Sequence, residues 1–405
     1  MRLLIADKLH PRAVEELRAL PIEVQYDPEL TKETIESKIP DVGILVVRSK
    51  EVTASAIEAA KQLHLIVRAG AETTTIDVRA ASKRGIYVAN CPGKNSSAVA
   101  ELVFGMIISI DRRIPDATIS LRAGKWERAE YGRAEGLHGK TLGIAGLGAI
   151  GKDVAARARA FGLHVVAWSR SLSTSKAAEL GVGHASSIEE LASRSDILTV
   201  HLPLTERTRR IINARVLEVM PKRAILLNLA RADLVDYPAL REAVKTRGLR
   251  AGLDVYPDEP RGTKVYPSDL FDIQPSGGFI YGTPHIAAST DQAQLAIATE
   301  TVRVIRSFLL EGDVPNVVNV SNSSNARFQI VIRMVDKVGT FANVLNVIKR
   351  HGINVEEVTN TVFEGAVASC AKLRVVSRPS ENCLSEIRAF DEVLHVDVVT
   401  LPNLA

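Results

Sequence analysis

The chain has 405 residues, enough for two or three domains, and 46% hydrophobic with 24% charged residues marks an ordinary well-buried protein. Its 51 basic and 47 acidic residues leave a formal charge of +4 with no basic run, which argues against a nucleic-acid partner. Cys91, Cys370 and Cys383 show no CxxC spacing, so neither a disulfide framework nor a metal knuckle is expected, and a cytoplasmic location is. Asp7 and Lys8 interrupt the first residues too early for a signal peptide, and the apolar stretch Leu102 to Ile110 is far short of the ~20 residues that span a bilayer. No membrane partner is expected.

Taken in chain order, short apolar runs read as strands at 2–6, 43–47, 65–68, 86–90, 142–146, 164–168, 196–200, 224–228 and 250–255. Helical patterns fall between them, for example at 53–61, 97–112, 149–161 and 237–247. Strand alternating with helix implies parallel sheets covered on both faces, and continuous rather than alternating apolar strands fit that burial. The turn at 136–141 opens a second domain, and the polar Ser/Asn-rich segment 317–328 reads as a linker. Beyond it the order changes: strand 328–333, helix 339–351, strands 353–361 and 366–376, helix 382–389, strand 394–401. That is the βαββαβ order of a ferredoxin-like module.

Gly146-Leu147-Gly148-Ala149-Ile150-Gly151 is a GxGxxG turn placed after a strand and opening a helix. In that context it is a dinucleotide-binding fingerprint. Gly146 makes the turn, Gly148 lets the backbone approach the pyrophosphate, and Gly151 lets helix lie on strand, with free N–H groups facing the phosphates. The second strand of such a fold usually ends in an acid that binds the adenine ribose diol. Here it ends in Ser169-Arg170, 169 − 146 = 23 residues after the first glycine. A serine with an adjacent guanidinium accommodates a 2′-phosphate, so NADP is slightly favoured over NAD; the alternative is a solvated Arg170 and bound NAD.

Three further segments, 228–236, 252–260 and 283–290, follow strands in the same way and supply Arg231, Glu259 and His285. Oxidising an alcohol needs a base near neutrality, the range in which histidine titrates. A carboxylate on the far ring nitrogen fixes its tautomer, and an arginine clamps a substrate carboxylate in two-point fashion while polarising the reacting oxygen. Asp254, at a strand end, is a candidate acceptor for the nicotinamide carboxamide. The remaining histidines have no metal-ligand spacing, and hydride transfer needs no metal.

On these residues, and on RAGKWER (122–128), KTLGIAGLGAIG (140–151) and VRAASKRGIYVANCPG (78–93), the chain resembles the D-isomer-specific 2-hydroxyacid dehydrogenase family over residues 1–316. The resemblance implies two flavodoxin/Rossmann-like α/β domains: a substrate domain at 1–98 and 288–316, wrapped around a cofactor domain at 99–287. It implies Arg231, Glu259 and His285 as the catalytic set, and substrate contacts from Arg48, Arg68, Gly70, Ala71 and Asn95. Cofactor contacts are implied at Gly146, Gly148, Ala149, Ile150, Gly151, Ser169, Arg170, His201, Leu202, Pro203, Ala230, Arg231, Asp254, His285 and Ala287. The expected reaction exchanges a hydride with C2 of a small 2-hydroxy or 2-oxo acid. 3-Phosphoglycerate is the first choice; glyoxylate or hydroxypyruvate reduction, or a nicotinamide-sensing scaffold, are the alternatives. A homodimer or homotetramer is expected.

The substrate loop departs from the family pattern. Glu72 stands where a glycine is usual, and Ala232 and Ala287 also replace usual glycines. If Glu72 faces the pocket, a dianionic phosphate is disfavoured; if it points outward, only backbone freedom is lost. The stretch from Glu259 to His285 is longer than usual. After a linker at 317–326, the tail 327–405 resembles an ACT regulatory domain, with MVDKVG (334–339) and GINV (352–355). That resemblance implies an amino-acid effector contacted by Asp336 and Asn354, or a module that only dimerises. Met334 and Val338 stand where a serine-binding relative has histidine and where proline is common, so serine itself is a doubtful effector.

Overall fold

The computed structural model describes residues 1–260, 266, 270–271, 277–321 and 324–402, which form two compact units, Met1–Asn319 and Val320–Ala405. The first unit holds two parallel sheets. One comprises β1 (Arg2–Ile5), β2 (Glu23–Tyr26), β3 (Ile44–Val47), β4 (Leu65–Arg68) and β5 (Tyr87–Ala89), in the order β2-β1-β3-β4-β5. Successive residues alternate between its faces. Leu3, Ile5, Ile44, Val46, Leu65 and Val67 pack under helices Pro11–Arg18 and Asp291–Glu311. Leu4, Leu45, Val47, Ile66 and Val88 pack under three short helices through Ile35, Ile57 and Ala81. Each Leu or Ile buried this way contributes about 1.5–3 kcal/mol. Both faces being covered is why these strands read as unbroken apolar runs.

The second sheet has β6 (Thr141–Ala145), β7 (His164–Trp168), β8 (Gly183–His184), β9 (Ile197–Val200), β10 (Ile225–Asn228), β11 (Arg250–Leu253) and β12 (Phe279–Gly282). Its order is β12-β11-β10-β9-β6-β7-β8, and every pairing is parallel. The chain winds outward in both directions from β6 and β9, so a switch point lies between their C-terminal ends. In an open sheet that is where a ligand binds. Helix Ser96–Arg112 carries the chain from the first sheet to the second, and Asp291–Glu311 brings it back. Residues Val317–Asn319 stay attached to β5: Val318 N–H donates to Val88 O, and Asn319 Oδ1 accepts from Val88 N–H.

β2, β8 and β12 are absent from the strands expected above. β2 is an edge strand of sequence EVQY with partly exposed residues, and β8 has two residues, so neither makes an apolar run. Much of the loop between Glu259 and β12, residues 261–265, 267–269 and 272–276, lies outside the described residues.

The second unit is an antiparallel sheet of β13 (Phe328–Val335), β14 (Val355–Val362), β15 (Ala368–Val375) and β16 (Val393–Thr400), ordered β14-β15-β13-β16. Ile330, Ile332, Leu373 and Val396 pack against helices Thr340–Arg350 and Glu381–Arg388. This is the expected βαββαβ arrangement. Met334 is buried, whereas Asp336 and Asn354 are exposed, and Asn354 Nδ2 donates to Glu356 Oε1 at 3.0 Å.

Candidate functional site

The loop after β6 shows why each fingerprint glycine is needed. Gly146 has φ 103°, and a Cβ there would lie 2.5 Å from the His201 carbonyl oxygen. At Gly151 a Cβ would lie 2.2 Å from Gly146 O, so helix Ala149–Ala160 could not approach the strand. Gly148 faces open space, with no atom within 4 Å of a Cβ position. No side chain caps this helix, which leaves its first N–H groups to an anion. Two glycines close a turn and the third keeps a cradle open, which fits a dinucleotide pyrophosphate. Leu147 and Leu202 line the loops buried, while Ala149 and Ile150 open the helix itself.

At the end of β7, Ser169 is partly buried and Arg170 exposed. His201 follows β9; its Nε2 lies 2.9 Å from Thr199 Oγ1 and its Nδ1 is buried without a partner. Burial pushes its pKa down to about 4, so it is neutral near pH 7. Pro203 is exposed beside it.

On β10, β11 and β12 the structure brings the polar residues to the same sheet end. His285 Nδ1 lies 2.6 Å from Glu259 Oε2, and Glu259 Oε1 accepts from Tyr256 N–H at 2.8 Å. The carboxylate is thus anchored on one oxygen and orients the imidazole with the other, leaving Nε2 to face outward. His285 adopts φ 52°, an uncommon conformation for a non-glycine residue. Asp254 explains how it is held. This fully buried carboxylate accepts from Thr283 Oγ1 (2.5 Å), Ile286 N–H (2.8 Å) and Ala287 N–H (2.9 Å), which lie on both sides of His285 in the chain. Asp254 therefore positions the histidine loop, a role additional to the carboxamide contact expected for it.

Arg231 is braced in the same manner. Buried Asn228 donates through Nδ2 to Arg231 O (2.9 Å) and accepts from Ala230 N–H (3.2 Å). Arg231 Nη1 donates to Ala230 O at 2.6 Å, and Nη2 donates to Glu72. Glu72 therefore points toward Arg231 and joins the loop after β4 to the loop after β10.

In the first sheet, Arg48 follows β3 in a loop gathered by Asp7, which accepts from the N–H groups of Arg48 (3.0 Å), Ser49 (2.5 Å) and Lys50 (2.9 Å). Burial alone would raise the Asp7 pKa, but these donors outweigh it and hold it below the usual carboxylate value. Arg68 ends β4 and folds back over Gly70, where a Cβ would sit 1.6 Å from its Nη1. Its Nε is buried without a partner. Burial, with repulsion from Arg231 and Arg48, lowers the Arg68 pKa, and Glu72 opposes the shift. Asn90 Nδ2 donates to Ala71 O at 2.6 Å, and Cys91 N–H to Gly70 O at 2.9 Å, so the loop after β4 is tied to the end of β5. Asn95 caps helix Ser96–Arg112 by position, with no side-chain capping bond.

Reading for reactive groups missed Asp7 and Asn228, which touch chiefly backbone. Their one sequence signal is place: each is a polar residue at the end of an apolar strand. Among the described residues no group of three or more His, Cys, Asp or Glu side chains is arranged to hold a metal, and no helix is long and apolar enough to cross a membrane.

Fold and site together define an α/β protein of the dinucleotide-binding class, with Arg231, Glu259 and His285 following strands of the sheet that carries the nucleotide turn. A family model for the D-isomer specific 2-hydroxyacid dehydrogenase NAD-binding domain matches residues 104–287. The chain is 41% identical over 324 residues to D-3-phosphoglycerate dehydrogenase of Methanocaldococcus jannaschii, covering 80% of this chain and 60% of that protein. It is 40% identical over 278 residues to hydroxypyruvate reductase of Thermotoga maritima, covering 68% and 88% respectively. The crystal structure of the TT0316 protein from Thermus thermophilus aligns with a TM-score of 0.69 at 33% identity, over 78% of this chain and all of that one. This chain belongs to the D-isomer specific 2-hydroxyacid dehydrogenase family. It spans 60–64% of the length of the first phosphoglycerate dehydrogenases it matches.

Proposed function

We propose that the protein is an NAD(P)-dependent D-2-hydroxyacid dehydrogenase whose first substrate is 3-phosphoglycerate. The observation that carries the chemistry is the His285–Glu259 pair, 2.6 Å apart at the sheet end that also carries Arg231 and the nucleotide turn. Bound nicotinamide supplies the hydride acceptor or donor. The chain's own residues do the rest. His285 takes the hydroxyl proton during oxidation and returns it during reduction, and Glu259 stabilises the imidazolium so formed. Arg231 holds the substrate carboxylate and polarises the C2 oxygen, while Arg48 and Arg68 add positive charge around the acid. Likeness to proteins named D-3-phosphoglycerate dehydrogenase supports the substrate.

A second reading, reduction of unphosphorylated hydroxypyruvate or glyoxylate, is favoured by one observation: Glu72 sets a negative charge on Arg231. The deciding experiment is a steady-state assay of phosphohydroxypyruvate, hydroxypyruvate and glyoxylate with NADH and NADPH. The expected result is turnover with the highest kcat/KM for phosphohydroxypyruvate. A preference for hydroxypyruvate moves the assignment to the second reading, and no turnover of any 2-oxo acid removes both.

The missing acid after β7 supports NADP. Replacing Ser169 by aspartate is expected to shift preference toward NAD, because a carboxylate accepts from a ribose diol but repels a 2′-phosphate, a difference of roughly 1–3 kcal/mol. An unchanged NADH to NADPH ratio of kcat/KM would place Ser169 away from the adenosine ribose. For the second unit, Asp336 and Asn354 are proposed contacts of an amino-acid effector, to be sought by adding amino acids to the same assay.

A further inference from the structure

Three guanidinium groups and one carboxylate surround the proposed substrate position. Arg48 and Arg68 come from the first sheet, Arg231 from the second, and Glu72 from the loop between β4 and the helix that follows it. Glu72 is the acid paired to Arg231, and neither partner is sealed from water: their side chains are 36% and 34% exposed. The contact uses Arg231 Nη2, while Nη1 is turned onto the Ala230 carbonyl. Both terminal nitrogens of Arg231 are thus engaged by the chain itself. Arg68 keeps a buried Nε with no partner and feels the charges of Glu72, Arg231 and Arg48 together.

We propose that Glu72 is a specificity-determining residue: a built-in anion that occupies Arg231 until a substrate carboxylate displaces it, and that selects against substrates bearing additional negative charge. The inference rests on the dehydrogenase reading above and not on its choice of substrate: Glu72 reduces the advantage of a phosphorylated acid without deciding which acid is preferred. With Glu72 the four side chains carry a net +2, and without its charge +3. A 2-oxo acid of charge −1 is accommodated by either. A phosphorylated one, at about −3 near neutral pH, is disfavoured by the extra carboxylate once for each of its charges. Glu72 acts through Arg231 and does not take part in proton transfer, so its effect falls on substrate binding rather than on the chemical step. It also keeps Arg231 at the site mouth in the absence of substrate, which makes it a positioning residue.

The test compares wild type with Glu72→Gln, which keeps a hydrogen-bonding amide but loses the charge, and with Glu72→Asp, which keeps the charge. Glu72→Gln is expected to lower KM for hydroxypyruvate about threefold and for phosphohydroxypyruvate about tenfold or more, with the change confined to KM. Glu72→Asp should retain the wild-type ratio between the two substrates. In parallel, oxamate (one charge) and oxalate (two) are titrated into the enzyme–NADH complex by nucleotide fluorescence, and Glu72→Gln should tighten oxalate more than oxamate. Equal effects on the two substrates and on the two inhibitors would overturn the inference, as would a loss of kcat with KM unchanged. A wild type that turns over no 2-oxo acid removes the dehydrogenase reading, while the oxalate to oxamate ratio still decides the role of Glu72. Binding of neither anion to either protein would overturn the inference about Glu72.

Discussion

Replacing His285 with alanine is expected to lower kcat by ~10² or more and to leave the affinity for NADH nearly unchanged. In the proposed mechanism the imidazole exchanges the alcohol proton, and its Nδ1 is committed to Glu259 at 2.6 Å. Removing it leaves the hydroxyl without a base. The nucleotide turn is built separately, from Gly146, Gly148 and Gly151 after β6, and shares no hydrogen bond with the imidazole. The loop itself should survive the change. Asp254 grips Thr283, Ile286 and Ala287 rather than the histidine side chain, and alanine at φ 52° costs about 1 kcal/mol, which histidine already bears in part. Turnover close to wild type would remove His285 from the mechanism; weakened NADH binding would show that the loop had moved.

That division of labour bears on what a sequence discloses. The GxGxxG turn was legible because its chemistry is local: a strand, three glycines and a helix lie close together in the chain, Gly146 and Gly151 meet a steric demand in the structure, and Gly148 leaves space open. Arg231, Glu259 and His285 were legible as residues following strands, a consequence of the rule that open parallel sheets bind ligands at strand ends. The Glu259–His285 contact spans 26 residues and follows from that rule once β11 and β12 are neighbours. By contrast, the Glu72–Arg231 pair joins positions 159 residues apart on different sheets. No periodicity connects them, so sequence reasoning could only pose the two orientations of Glu72 as alternatives. The supports were equally hidden. Asp7 and Asn228 bind backbone N–H and C=O groups, which nearly every residue possesses, and their partners carry no compositional signal.

The fold follows a similar line. Central strands such as β3 and β4 are apolar on both faces because helices cover both, and their sequences announce it. The edge strand β2 pairs on one side only and keeps Glu23 and Tyr26 exposed, so its sequence resembles a loop. β12 is an edge strand of the second sheet, and its short FIYG run lies directly after a glycine pair. Edge strands are constrained less by burial, and burial is most of what a pattern of apolar residues records.

Replacing Arg231 with lysine is expected to damage kcat/KM almost as severely as replacing it with alanine, by about 10²–10³. A guanidinium presents two parallel N–H donors to a carboxylate and a further donor to the neighbouring C2 oxygen, all in one plane, whereas an ammonium is a point charge on a flexible stem. The surroundings favour the planar group. Asn228 ties down this loop, donating to Arg231 O and accepting from Ala230 N–H, which resists a backbone shift that would bring another side chain into place. Glu72 sharpens the difference. A lysine at 231 would be drawn into an ion pair with that carboxylate, and a substrate acid would then compete for a single cationic centre instead of a two-pronged one. The double replacement Arg231→Lys with Glu72→Gln separates the two effects. Recovery of KM but not of kcat in the double variant would assign the charge competition to Glu72 and the transition-state contact to the guanidinium plane. If lysine alone restores most of kcat/KM, Arg231 acts as a charge only, and the two-point grip is wrong.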